Sequence, residues 1–260
     1  MRRTAWLWPT LCVAALNAQA TPPVRVVSLA PNLTGMVVEL GCKKSLVAVT
    51  PFCQASETIA RVPGGMQPEA EAVLALEPDL VLASSITPSP TLRQLQKLGV
   101  RTEVFTAGSL QEIRDAMAKL AGVLGVKTLD ITTPTNGPAT KTAVLLFGAD
   151  TGYSAGCGTH AHEILESAGL RNIAAKASGP WPQLSEEFLL AADPEVIVVA
   201  DYGGADKSKL VALLRAHPVR KHLQAVQAGR VVVFPAQAFS IPGPAALKAG
   251  HALRDEVEKL

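Results

Sequence analysis

The sequence predicts an α/β protein of two lobes, each with a mainly parallel sheet flanked by helices, and a ligand cleft between them. Strand-like apolar runs alternate with helix-periodic segments in both halves of the chain, which is typical of parallel sheets. One helix–proline–strand unit occurs once in each half. Residues 125–141 have no apolar period and are rich in Thr, Pro, Asn and Gly. We therefore assign 21–124 to an N-terminal lobe, 125–141 to an interlobe connection and 142–260 to a C-terminal lobe.

Apolar runs in the first half predict strands at 24–30, 46–50, 80–83 and 100–106. A helix is expected after Pro31, with Asn32 or Thr34 as its cap and Gly41 at its end. Further helices are predicted at 92–98 and 109–124. In the second half, strands are predicted at 142–147, 196–200 and 231–234, and helices at 159–168, 207–216, 219–226 and 244–260.

The repeated unit places one acid in each half at the same offset. Glu71 lies seven residues before Pro78, and Glu187 lies seven residues before Pro194. Each acid falls in the first turn of a predicted helix, where the helix dipole favours a carboxylate. The dipole does not explain why both halves carry the same acid at the same position. Two equivalent acids, one on each lobe, suit a two-fold symmetric partner that carries basic pockets.

Residues 1–20 have the pattern of a secretory signal peptide. Arg2 and Arg3 precede a short apolar stretch, and Ala18-Gln19-Ala20 offers a cleavage site. The stretch is too short to span a bilayer. We therefore expect an exported protein. Without this segment the chain has 22 basic and 22 acidic residues, and this balance gives no reason to expect a nucleic-acid partner.

The same chain without its first 20 residues keeps three cysteines, Cys42, Cys53 and Cys157. An oxidising compartment permits a disulfide, and Cys42 and Cys53 are the closest pair in sequence. Small buried thiols are the alternative, and both remain open at this stage. The spacing fits no zinc site.

Unusual side chains gather in the loops that follow strands or precede the repeated unit. Such loops line the cleft in two-lobed α/β proteins, and aromatic rings there suit a flat, largely apolar ligand. The candidate ligand-binding residues are Phe52, Met66, Gln67, Ser84, Tyr153, Trp181, Tyr202 and Phe239.

Two patterns suggest other chemistry. Residues 152–156 match G-x-S-x-G, with Ser154 as a possible nucleophile of a secreted serine hydrolase. Four residues separate this motif from the preceding strand, however, whereas a nucleophile elbow requires a direct strand-to-helix turn. His160 and His162 point apart on a helix, so they cannot share a metal ion, and we expect a solvated helix start there. We predict neither catalytic residues nor a metal site.

The sequence resembles solute-binding proteins of ABC importers, in the group that serves cobalamin, haem and iron siderophores. The likeness is closest to the cobalamin-binding members at Trp181-Pro182-Gln183. The matching stretches are 26–32, 71–81, 154–156, 163–165, 168–173 and 180–198. The resemblance implies that Glu71 and Glu187 form salt bridges with arginines of a dimeric permease. It also implies that three residues contact the ligand: Phe52, Tyr153 and Trp181.

The chain also departs from the family pattern. Other aromatic pocket positions fall near Met66 and at Ser84, and polar contacts fall near Gln237 and Ile241, where this chain carries no charge. The family joins its lobes by one long helix, whereas residues 125–141 are short and poor in helix signals.

From this resemblance we expect a monomeric periplasmic binding protein without enzymatic activity or cofactor. It would deliver a cobalamin-like corrinoid to an inner-membrane permease dimer with its ATPase. Haem or a ferric siderophore is the alternative ligand.

Overall fold

The computed structural model describes residues 24–131, 139–203 and 206–260. Two parallel sheets with helices packed against them form two lobes, which confirms the predicted fold class. The predicted signal peptide at 1–20 lies outside the described residues, and so do residues 132–138 of the predicted interlobe connection.

The N-terminal lobe has five strands in the order β3-β2-β1-β4-β5, and all neighbouring pairs are parallel. Its strands are β1 (Val26–Ser28), β2 (Leu46–Val49), β3 (Ala60–Arg61), β4 (Leu80–Ser84) and β5 (Thr102–Phe105). Its helices are α1 (Pro31–Glu39), α2 (Ala70–Leu74), α3 (Ser89–Lys97) and α4 (Leu110–Leu124).

The C-terminal lobe has four strands in the order β7-β6-β8-β9, again with all pairs parallel. Its strands are β6 (Lys141–Leu146), β7 (Leu170–Asn172), β8 (Val196–Asp201) and β9 (Val231–Pro235). Its helices are α5 (His160–Ser167), α6 (Glu186–Ala192), α7 (Lys207–Ala216), α8 (Gln224–Gln227), α9 (Gln237–Ser240) and α10 (Pro244–Glu258).

The two lobes repeat one topology. The strand order β2-β1-β4-β5 corresponds to β7-β6-β8-β9, and the repeated unit supplies α2 before β4 and α6 before β8. Glu77 and Asp193 directly precede the two prolines of the unit, and both have positive φ, at 46° and 36°. Among the described residues, they are the two non-glycine positions with this conformation. The sequence repeat is thus also a repeat of backbone geometry.

The lobes share one apolar core. A single cluster of buried side chains runs through α1, α4, α5 and α10, and includes Leu33, Leu120, Ile164 and Leu253. Two hydrogen bonds also cross the junction. The backbone amide of His160 donates to the carbonyl of Gly108 at 2.7 Å, and the amide of Leu110 donates to the Glu163 carboxylate at 2.6 Å.

Several local predictions need correction. The helix α1 begins at Pro31 with Ala30 as its N-cap, and no side chain caps it. Proline at the first helical position has no N–H to satisfy, so a capping side chain is less needed. The predicted helix at 219–226 breaks at Leu223, which is extended. The strands β3 and β7 were not predicted, because two or three residues are too few to show an alternating pattern.

Three chemical features of the described residues bear on function. Cys42, Cys53 and Cys157 are all free thiols. No cluster of three or more His, Cys, Asp or Glu side chains could hold a metal ion within the part of the chain that the structure describes. In that same part, no helix combines the length and apolar character that a membrane span requires.

Candidate ligand cleft

Three adjoining cavities lie between the lobes. One of about 410 Å³ lies against the C-terminal lobe, one of about 220 Å³ against the N-terminal lobe, and one of about 200 Å³ between them. Ser240 borders the first cavity and the middle one, whereas Ser84 and Ile86 border the middle one and the second. The cavities therefore form one cleft, and most of the loops around it follow the carboxyl ends of strands.

Trp181 is the largest side chain on the C-terminal wall, and it is 46% exposed. Its indole makes edge-to-face contacts with the ring of Phe147, with centroids 5.7 Å apart, and with the imidazole of His160, at 6.1 Å. Edge-to-face contacts of this kind stabilise aromatic pairs. The indole is therefore held from behind while part of its surface stays open to the cleft.

Two paired loops, residues 152–156 and 180–184, carry Tyr153 and Trp181. The amide of Ser154 donates to the carbonyl of Pro182 at 2.9 Å, and the amide of Leu184 donates to the carbonyl of Gly152 at 2.8 Å. Tyr153 and Gln183 form an antiparallel bridge between these bonds. The pairing fixes the two aromatic side chains relative to each other and leads directly into α6.

The paired loops also explain the G-x-S-x-G motif. A Cβ atom at Gly152 would overlap the carbonyl oxygen of Leu184, and one at Gly156 would overlap that of Gly179. Both glycines are therefore required for close backbone approach. The Ser154 hydroxyl is buried, and no described residue hydrogen-bonds to it, so a general base that could activate it is missing there. The hydrolase alternative is not supported.

Tyr153 and Tyr202 stand at the rim of the C-terminal cavity, and both are more than half exposed. Partial shielding from water raises the pKa of the Tyr202 phenol, and its hydrogen bond with Ser240 acts in the opposite direction. The Tyr202 hydroxyl consequently stays neutral at physiological pH and offers a hydrogen bond without charge.

The N-terminal wall carries Phe52 and Met66, which are 55% and 71% exposed. Arg61 holds the Phe52 loop by donating to the carbonyls of Thr50 at 3.1 Å, Cys53 at 2.8 Å and Ala55 at 3.2 Å. Because one guanidinium binds three backbone carbonyls on both sides of Phe52, the position of Phe52 depends on Arg61.

The cleft has contributors that the sequence did not indicate. Ile86 is 83% exposed and borders two of the cavities, although its loop reads as polar. Phe147 lines the C-terminal cavity behind Trp181, and Ser240 connects this cavity to the middle one. The sequence gives only a weak indication that Phe147 and Ser240 line the cleft, namely that each comes after a strand of the second sheet.

The predictions for Phe239 and His160 are wrong, and the candidate Gln67 does not line the cleft. Phe239 is fully buried, because α9 turns its ring onto Phe234, with centroids 5.5 Å apart, and away from the cleft. His160 is 2% exposed rather than solvated, because α5 begins at the junction of the lobes. Gln67 is exposed beside Met66 but does not line the three cavities. The other candidates that line them are Phe52, Met66, Ser84, Tyr153, Trp181 and Tyr202.

The lining of the cleft carries no formal charge. Among the described residues that border the three cavities, none is Asp, Glu, Lys, Arg or His. The polar groups are hydroxyls, one amide side chain and backbone atoms. This arrangement can hold an aromatic or apolar surface and hydrogen-bond to neutral groups, but it offers no counter-charge to an ionic ligand.

Glu71 and Glu187 are both exposed in the first turns of α2 and α6. Gln94 donates a hydrogen bond from its side-chain amide to the Glu71 carboxylate. The pKa of Glu187 is lowered by a hydrogen bond from its own backbone amide and by one from Ser185. Neither acid forms an ion pair within the described residues.

Comparison with known proteins identifies the family. The model of the family described as "Periplasmic binding protein" matches residues 26–130 and 127–238. The chain belongs to this family, whose members bind solutes. The prediction of a binding protein that has no catalytic role and no resident cofactor is thus confirmed.

The chain is also similar to individual proteins with narrower descriptions. It is 29% identical over 243 residues to a cobalamin-binding protein of Halobacterium salinarum, a match that covers 85% of this chain and 66% of that protein. The chain thus spans slightly less than two thirds of that relative. It is 29% identical over 195 residues to a vitamin B12-binding protein of Salmonella paratyphi A, which covers 69% of this chain and 73% of that protein.

Solved structures agree on the fold. A periplasmic haem-binding protein from Pseudomonas aeruginosa superposes with a TM-score of 0.72 at 28% identity, covering 91% of this chain and 93% of the other. A periplasmic vitamin B12-binding protein of Vibrio cholerae superposes with a TM-score of 0.68 at 24% identity, covering 91% and 98%. The resemblance seen in the sequence is therefore confirmed at the level of the family.

Proposed function

We propose that this protein is the periplasmic component of an ABC importer and that it captures a cobalamin-like corrinoid. The observation that carries the proposal is the uncharged, aromatic cleft between the lobes. A corrinoid presents a flat macrocycle edged with neutral amide groups. Trp181 and Phe52 offer surfaces for the macrocycle, and the hydroxyls of Tyr153 and Tyr202 offer hydrogen bonds to the amides.

Charge distinguishes the corrinoid from the alternatives. Haem carries two propionates, and many ferric siderophores are anionic. A buried carboxylate without a cationic partner is strongly unfavourable, and the described cleft lining contains no Lys or Arg. The relatives named for cobalamin and vitamin B12 support the same choice.

Haem is the second candidate, because two tyrosines stand at the rim of the C-terminal cavity. A tyrosine oxygen can ligate haem iron. This candidate requires propionates that face solvent, outside the uncharged lining.

The ligand can be identified by fluorescence, because Trp181 is the one tryptophan in residues 21–260. We expect cyanocobalamin or cobinamide to quench its emission with saturation, and haemin to bind more weakly. A Trp181→Ala variant should lose affinity by roughly 10-fold or more when binding is followed by calorimetry. Tight haemin binding with a shifted Soret band, and no response to corrinoids, would reject the proposal in favour of haem.

Delivery is proposed to occur at an inner-membrane permease dimer with its ATPase, through Glu71 and Glu187. The two acids occupy equivalent first-turn positions of α2 and α6, one on each lobe. A two-fold symmetric permease with one basic site on each subunit would match this arrangement. The chain reaches the periplasm if residues 1–20 act as the signal peptide that their pattern indicates.

The docking step is tested with a double variant, Glu71→Gln with Glu187→Gln. Corrinoid affinity should stay unchanged, because neither acid lines the cleft. Stimulation of the permease–ATPase complex in nanodiscs should be lost. Unchanged stimulation would reject the docking role of the two acids.

A further inference from the structure

Each of the two acids has an exposed leucine beside it. Leu74 is 40% exposed on α2, and Leu190 is 43% exposed on α6. Each leucine follows its acid by three residues. Residues three apart on a helix lie on the same face, so each acid and its leucine form one surface patch.

Single exposed leucines are common on protein surfaces and require no explanation. These two differ because they occupy equivalent positions in two copies of one unit. The copies share the positive φ of Glu77 and Asp193, the proline that follows, and the strand that begins two residues after the proline. Each patch is therefore presented in the same way relative to its own sheet.

Three alternative roles for the leucines fail on the structure. Neither leucine lines the ligand cleft. Neither belongs to the three buried clusters of the described residues. The helices α2 and α6 are only five and seven residues long, so the helix propensity of one leucine contributes little to their stability.

We infer that Leu74 and Leu190 are apolar anchors for the importer permease, and that each permease subunit presents an apolar recess next to its basic side chain. This inference rests on the proposed docking function. The acids give orientation and rate of association, and the leucines give affinity by burying apolar surface. One chain with two equivalent patches engages the two copies of a subunit related by a two-fold axis.

The test compares two double variants, Leu74→Ala with Leu190→Ala, and Leu129→Ala with Leu260→Ala. Leu129 and Leu260 are matched controls, since they are 41% and 43% exposed. Leu129 lies beside Glu39 and Lys248, and Leu260 follows α10, so neither is next to α2 or α6. Binding of the corrinoid-loaded protein to the permease–ATPase complex in nanodiscs is measured at several salt concentrations. We expect the first pair to weaken binding at least tenfold, equivalent to about 1.4 kcal/mol, and the control pair to leave it unchanged.

Salt dependence separates the leucines from the acids. Binding of the leucine variant should keep the salt dependence of the wild type, whereas binding of the Glu71→Gln, Glu187→Gln variant should largely lose it. A second leucine variant, Leu74→Gln with Leu190→Gln, should bind as weakly as the alanine variant. Melting temperature and corrinoid affinity should match the wild type in every variant.

Two results would overturn the inference. Equal binding by the patch variant and the control variant would show that the leucines are ordinary surface residues, while the glutamate result would leave the docking function intact. If the glutamate variant also bound and stimulated normally, the docking function itself would fail.

Discussion

His160 lies at the first position of α5, and its imidazole is buried at the junction of the lobes. Its Nε2 has no hydrogen-bond partner among the described residues. Burial lowers the pKa of His160 to about 4, although contacts with the carbonyls of Phe239 and Gly108 raise it. The neutral imidazole thus supports the ring of Trp181, and a proton there would be a buried charge.

This burial predicts a specific pH dependence. The unfolded chain takes up the His160 proton below pH 6.5, whereas the folded protein takes it up only below about pH 4. The free energy of unfolding should therefore fall as the pH decreases from 6.5 to 4, by about 3 kcal/mol from this group. Urea unfolding of the wild type and of His160→Gln at several pH values provides the measurement. Equal slopes for the two proteins over this range would show that His160 does not titrate as expected.

At the scale of elements, short loops and single arginines position the aromatic side chains on both walls of the cleft. The paired loops of the C-terminal lobe run into Ser185, which caps α6, so Trp181 and Glu187 lie on one continuous stretch. Arg220 is buried, binds Glu186 at 2.6 Å and donates to the carbonyl of Ala149 at 2.7 Å. It therefore ties the start of α6 to the loop that follows β6.

In the N-terminal lobe, Arg61 at the end of β3 holds the Phe52 loop in place. We expect Arg61→Ala to weaken corrinoid binding roughly fivefold, because the Phe52 loop would have to be ordered on binding at a cost of about 1 kcal/mol. Arg101→Ala is the control, since the one ion pair of the Arg101 side chain among the described residues is a long contact of 3.8 Å with Glu103. Calorimetric titration of both variants gives the comparison. Equal affinities would mean that the loop keeps its shape without Arg61.

At the scale of the whole molecule, the lobes are joined by more than their covalent connection. The apolar cluster around α10 extends into both lobes, and Lys248 of α10 pairs with Glu39 of α1 at 2.6 Å. The Glu163 carboxylate accepts from the amide of Leu110 at the start of α4, where the helix dipole strengthens the contact.

This last contact predicts the effect of removing the Glu163 charge. Glu163→Gln should lower the free energy of unfolding by about 1–2 kcal/mol, because a half-buried charged hydrogen bond between the lobes is weakened. Glu256→Gln is the control, since its exposed pair with Lys259 should contribute little. Chemical unfolding measures both. A loss no greater than that of the control would show that the contact does not stabilise the junction.

The sequence by itself determined the alternating elements, the two parallel sheets and the duplicated unit with Glu71 and Glu187. These follow from local periodicity and from proline and cap signals, which operate over a few residues. It also indicated Trp181 and Phe52 as candidate surfaces, because they lie in loops next to strands or the repeated unit.

Only the tertiary structure decided which loop residues face the cleft. Phe239 follows a strand as Tyr202 does, yet Phe239 packs onto Phe234 while Tyr202 stays open. The glycines of the 152–156 loop were ambiguous until the loop was seen to pair with residues 180–184. Burial and pairing of this kind arise from contacts between segments that are distant in sequence, and local patterns do not encode them.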